Sequence, residues 1–306
     1  MTRRQWMQWF LAAPLAGAAH AQPAPAVPLH RRICLFLDCL DHFDLSYAEV
    51  AKMVRDLGFV GPDLTVRSGG LVVPERAAAE LPRALAAFPE EGLTVPMLST
   101  NLISADDPAA LPILRAMRGA GVGYFKTGYL NYKNLSQWQD ELASIRRGLS
   151  PLVRLAREHG VVAGLHNHAG GNVGGAIWDG LELLAPLDPH AIGFYFDPGQ
   201  ATIEGGSHAW KLNFVRIAPR LQMVAIKDFV WEKTDGGWRT RWVPLGEGMV
   251  RWSDFIPLLR RTPLAGPISL HIEYDPGGNT RAEKIERTLQ AAKRDLEVLR
   301  RLLTAP

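Results

Sequence analysis

Cysteine is scarce in this chain, with only Cys34 and Cys39 among 306 residues, both in or just after the first apolar run. Two thiols cannot build a disulfide scaffold, and no cysteine spacing suits a zinc cluster. A bridge over so short a gap would need a turn, so both are read as strand packing. Basic runs are missing as well: Lys and Arg never exceed pairs, and the net charge is +3. That balance is too weak for a nucleic-acid footprint and excludes nucleic acid as a partner. The apolar stretch from Trp6 to about Gly17 is too short to span a bilayer permanently. No low-complexity segment follows the Pro/Ala run that ends at Pro28.

At 47% hydrophobic, the chain can bury one large core and suits a single α/β domain. Residues 1–21 read as a secretory signal, with Arg3 and Arg4, an apolar stretch, and Ala19-His20-Ala21 before a cut at Gln22. The Arg pair with Trp6 two residues on resembles a twin-arginine signal, a Sec signal being the alternative. Residues 22–30 read as a linker, and the mature protein is expected in the periplasm with no membrane anchor.

From residue 31 to 303, short apolar runs alternate with amphipathic helical patterns. Eight such repeats predict a (β/α)8 barrel. Gly58, Gly92, Gly121 and Gly160 each precede a strand, where helix C-terminal turns call for glycine. A polar hairpin-like insert, residues 231–246, follows the seventh strand.

Four strands end abruptly in chemistry: residues 160–170 in His166 and His168, 191–201 in Asp197, 221–229 in Lys227-Asp228, and 266–274 in His271 and Glu273. Parallel strands buried on both faces read as apolar runs, and barrel enzymes keep their active sites at the carboxyl ends. Side chains two apart share a direction, so these groups are expected at one mouth. His166, Asp197 and Glu273 could hold Mn2+ or Zn2+ with an open position. Each also has a plainer reading: a rim histidine, a turn aspartate before Pro198-Gly199, a Lys227-Asp228 ion pair. Glu273 resists that reading most, because an unpaired buried carboxylate is costly.

Together, LTVRSGG (64–70), LHNHAG (165–170), FYFDPGQA (194–201), AIKDFVWEK (225–233), VPLGEGMV (243–250) and GPISLHIEY (266–274) resemble the xylose isomerase-like TIM-barrel superfamily, the sugar phosphate isomerase/epimerase group. The resemblance implies a divalent metal on strands five to eight, with Asp197 and Glu273 as ligands and His166 where Glu is usual. Ala225 stands where a His ligand is usual, and Gln200 where a His follows the Asp motif. One ligand and one acid/base carboxylate are therefore lost.

The resulting expectation is a metal-assisted isomerase or epimerase, or a related lyase, acting on an unphosphorylated sugar or cyclic polyol beside a carbonyl. Glu273, Lys227, His166 and His168 are the candidate catalytic residues. Arg67, Lys126, Gln200, His271 and Trp231 are the candidate substrate contacts. Trp178, Trp210, Trp231, Trp238 and Trp242 could offer faces for sugar stacking. The alternatives are a metal-dependent hydrolase of the same superfamily and a non-catalytic sugar-binding barrel.

Overall fold

The computed structural model describes residues 27–305, so the expected signal segment lies outside the described residues. The strands are β1 (Ile33–Phe36), β2 (Pro62–Val66), β3 (Met97–Thr100), β4 (Tyr124–Lys126), β5 (Val162–His166), β6 (Ile192–Phe196), β7 (Leu221–Ile226), β8 (Asp228–Thr234), β9 (Gly237–Val243) and β10 (Ile268–Leu270). Eight of them close a parallel barrel in the order β1-β2-β3-β4-β5-β6-β7-β10, while β8 and β9 form a separate antiparallel hairpin. The (β/α)8 expectation holds.

Local sequence explains the ring of helices. Ser46 and Glu49 close a capping box at the start of helix Tyr47–Leu57, which stops at Gly58 with φ +86°. Thr280 and Glu283 do the same for the closing helix Arg281–Thr304. The end of the expected linker is already folded. Leu29–Arg31 forms a 3-10 turn with Leu29 against the core, because its apolar side chain finds cover there. A helix over Pro198–Gly205 was not expected from the sequence; Asp197 caps it, and Pro198 takes the first helical position.

The main core lies between barrel and helices, and a second cluster fills the barrel itself: Cys34, Met97, Tyr195, Met223 and Ala225. Both cysteines are free and buried; Cys34 packs within β1 as expected, whereas Cys39 lies in the helical turn Asp38–Asp41 that follows it. A Cβ at position 164 would lie 2.0 Å from Met223 Cε and 3.0 Å from Tyr195 Cβ, so glycine here lets the Met223 side chain pack against the β5 backbone. The inner plug sets the floor of the site. One step of the strand alternation above it come His166, Asp197 and Lys227. No helix among the described residues is long and apolar enough to cross a membrane.

Candidate active site

The barrel brings His166, Asp197, Lys227 and Glu273 to one end, joined by direct contacts. Lys227 Nζ donates to both oxygens of Glu273, at 2.8 and 2.9 Å, and lies 3.5 Å from Asp197 Oδ2. His166 Nε2 is 3.3 Å from the same Asp197 oxygen. The strand register explains why Lys227 and Glu273, 46 apart in sequence, meet: Ala225 of β7 pairs with Ser269 of β10, which sets Lys227 level with His271 and one alternation below Glu273.

Asp197 does two jobs. Its Oδ1 accepts the backbone N–H of Gln200 at 3.0 Å and caps the helix, while Oδ2 faces His166 and Lys227. The helix-capping contact and the contacts to His166 and Lys227 thus fall on different oxygens. Asn167, which the sequence reading passed over, clamps the strand end: Nδ2 donates to Asp197 O at 3.0 Å, and Oδ1 accepts from Asp197 N at 2.7 Å. Its place between two histidines in LHNHAG was the available clue.

Burial and charge set the protonation states. Burial disfavours charge on Lys227, but Glu273 and Asp197 outweigh it and raise its pKa. Burial likewise opposes ionisation of Glu273 and Asp197, yet Lys227 and the neighbouring histidines hold both below the usual carboxylate range. His166 is pushed down to about 3 by burial, against the pull of Asp197, so it is neutral. An ionised Asp197 only accepts, which assigns the proton to His166 Nε2 and leaves the Nδ1 lone pair toward Tyr129 Oη, 3.5 Å away.

A buried chain supports Glu273 from below. His271 Nδ1 donates to Glu273 Oε1 at 2.9 Å, and its ring stacks on Phe36 with centroids 4.2 Å apart. Tyr195 Oη lies 2.9 Å from His271 Nε2 and 3.3 Å from Asp63 Oδ2, and its single proton serves one of them. Burial raises the pKa of Asp63, and a proton held there completes the chain.

The other expected contacts divide. Lys126 sits with Nζ 4.1 Å from the Tyr129 ring centroid, and burial lowers its pKa to about 7. Gln200 is buried; its Oε1 accepts from Ala169 N at 3.0 Å, and its Nε2 has no partner among the described residues. Arg67 pairs with Asp38 and lies over Phe36. His168 is half-buried and meets Tyr129 edge-on, with centroids 4.9 Å apart. Trp231 packs near Phe229 toward the hairpin tip, and Trp242 rather than Trp231 covers the site, its ring centroid 4.3 Å from Lys227 Nζ. Trp210 is fully buried core, not a platform.

Lys227 and Asp228 do not pair with each other, because consecutive strand residues face opposite ways. Asp228 turns outward and accepts from the backbone N–H groups of Phe229, Gly246, Gly248 and Val250 and from Trp252 Nε1. A Cβ on Gly248 would lie 2.0 Å from Asp228 Oδ1, so only glycine fits that approach. A cleft of about 1110 Å³, lined by Trp242, Glu273, Tyr274 and Arg287 among others, gives access to the Glu273 end.

The expected metal trio needs correction. Among the described residues no three His, Cys, Asp or Glu side chains converge as a metal-binding group. Asp197 and Glu273 hold the Lys227 ammonium between them, His166 faces Asp197, and Ala225 offers no donor atom. These residues do not fit Mn2+ or Zn2+, because a cation already stands between the carboxylates.

No curated protein matches the sequence. Among solved structures, a 3-keto-D-glucoside 4-epimerase from E. coli superposes with TM-score 0.65 at 15% identity, over 88% of this chain and 98% of its own. A D-psicose 3-epimerase from Clostridium cellulolyticum H10, solved with D-tagatose, gives 0.63 at 13%, over 89% and 99%. A xylose isomerase-like TIM-barrel protein from Mycobacterium smegmatis, in complex with magnesium, gives 0.58 at 17%, over 83% and 91%. At such identities the likeness shows the fold alone. The model of the xylose isomerase-like TIM barrel family matches residues 51–302, and the chain belongs to that family.

Proposed function

We propose that this protein is an isomerase or epimerase, or a related lyase, that moves a proton on the carbon beside a carbonyl of an unphosphorylated sugar or cyclic polyol. The observation that carries the reading is the Lys227 ammonium held 2.8 Å from Glu273 at the carboxyl end of the barrel. A fixed cation next to a carboxylate can stabilise oxygen charge while the carboxylate takes a carbon-bound proton.

The step balances within these two residues. A substrate carbonyl oxygen accepts an N–H of Lys227, which loosens the hold of Lys227 on Glu273 and restores basicity to the carboxylate. Glu273 takes the proton, the C–H pair becomes the C=C bond, and the oxygen takes a proton from Lys227 to give a neutral enol. Return of a proton to the other face gives an epimer, return to the neighbouring carbon an isomer, and loss of a β-substituent an elimination. His166, with its Nδ1 lone pair free of Asp197, is the second acid/base group, and His168 flanks it. Arg67, Lys126 and Gln200 are the polar contacts, His271 orients Glu273 from below, and Trp242 supplies the stacking face.

A substrate without phosphate is supported by three of the four arginines that line the cleft. Arg239 and Arg241 are both tied to Glu232, and Arg294 to Glu247 and Asp295. Export through the expected signal belongs to the same proposal, since phosphorylated sugars are intracellular metabolites. The test is incubation with unphosphorylated keto-sugars and keto-inositols in D2O, read by proton NMR. The expected result is loss of the signal beside the carbonyl. A folded protein that binds such sugars and exchanges none would be a binding barrel instead.

A further inference from the structure

The four carboxylate oxygens at the centre of the mouth are all taken by N–H donors. Glu273 Oε1 receives Lys227 and His271, and Oε2 receives Lys227. Asp197 Oδ1 receives Gln200 N, and Oδ2 faces His166 and Lys227. Position 225, directly below on the same face of β7, is a methyl group packed into the inner plug with Tyr195 and Met223. From above, the Trp242 ring closes on the ammonium. The carboxylate oxygens that a divalent ion would need at this level are thus engaged by N–H donors, and position 225 offers only carbon.

We infer that Lys227 permanently occupies the cation position of this barrel, so that the site works without a divalent metal. The inference rests on the proposed function only for what the ammonium does to a substrate; its exclusion of metal stands on the geometry alone. Charge and shape both oppose an ion here. A dication would meet an ammonium wedged between its two carboxylate ligands, and neither Ala225 nor the protonated Nε2 of His166 offers a lone pair. An ammonium also behaves differently from a metal toward a sugar. It addresses single oxygens through separate N–H groups instead of chelating a pair, and it can hand over a proton to the oxygen it polarises. The substrate expected from this is one whose reacting carbonyl stands alone, without need of a neighbouring hydroxyl for chelation.

The test uses the full chain with Mn2+ and Zn2+ as probes, and needs no substrate. After dialysis against each ion and desalting, elemental analysis of the wild type should find substoichiometric metal, and thermal melts with Mn2+, Zn2+ or EDTA should coincide, because only an ion bound to the native state shifts the midpoint. The double variant Ala225→His with Lys227→Met supplies the missing donor and removes the competing charge. It should take up one equivalent of metal and lose it when Asp197→Asn is added. One equivalent in the wild type, lost on Glu273→Gln, would overturn the inference. So would a double variant that is folded by circular dichroism yet binds nothing. If that variant does not fold, the wild-type melts decide: a rise with either ion overturns the inference, and coincidence supports it. Failure of keto-sugar exchange would overturn the proposed reaction and leave this result untouched.

Discussion

Asp197 shows how a single side chain can be separated into its parts. Its pKa lies below the usual range, so its contribution to stability is present above about pH 4 and lost as acid protonates it in the native state. Asparagine is as good a helix cap as aspartate. Asp197→Asn therefore keeps the Gln200 cap and removes only the charge facing Lys227. Urea denaturation at pH 7 should show a loss of about 3 kcal/mol, the scale of breaking one side of a buried ion pair. A neutral result would mean that Glu273 alone balances Lys227. Lys126 makes the opposite prediction. Burial lowers its pKa to about 7, so the native state binds fewer protons than the unfolded chain between roughly pH 7 and the ordinary lysine value. Its cost is full below that window and vanishes above it. Lys126→Met should accordingly stabilise the fold more at pH 6.5 than at pH 10, measured by urea midpoints. An equal gain at both values would show that Lys126 stays charged throughout. Of this residue-level picture, the sequence made legible which groups stand at strand ends. It did not show that Lys227 lies between the two carboxylates, because the partners are Asp197 and Glu273 on flanking strands and only the register brings them together.

The insert after β7 is an element whose place depends on one carboxylate. Five N–H groups converge on Asp228, and the backbone of 246–250 rests on it. Asp228→Ala orphans those donors at about 1–3 kcal/mol for each that water cannot reach, so a midpoint loss of about 3 kcal/mol or more is expected on urea denaturation. Glu247 turns to Arg294 at the rim. The hairpin carries Trp242 over Lys227. Trp242→Ala should weaken sugar affinity several-fold, by about 0.5–1.5 kcal/mol of ring contact, while thermal stability changes little. Isothermal titration with a keto-sugar substrate measures it, and unchanged affinity would remove the stacking role. The sequence placed the hairpin but singled out Trp231 as the contact, whereas Trp242 is the ring over Lys227. Cross-strand pairing decides that, since Trp242 stands opposite Phe229 at the base and Trp231 opposite Thr240 nearer the tip. The helix Pro198–Gly205 was missed because two glycines in eight residues weaken helical propensity; the Asp-Pro start outweighs them.

At the scale of the molecule, the barrel was legible because eight apolar runs recur between amphipathic helices, and each barrel strand needs cover on both faces. Its interior was less so: the plug of Cys34, Met97, Tyr195, Met223 and Ala225 comes from four different strands, and only closure of the ring unites them. That plug lifts the polar groups to one level, where burial strengthens every charge contact and a lysine can hold two carboxylates ionised. The account stands on Lys227 and Glu273 acting as one proton-transfer pair. The most direct measurement is the rate at which solvent deuterium enters a keto-sugar substrate with wild type, Lys227→Met and Glu273→Gln side by side, each checked for folding by circular dichroism. Wild type should exchange the hydrogen beside the carbonyl, and each folded variant should lose about 10²–10³-fold. Exchange at the wild-type rate by either folded variant would contradict the account.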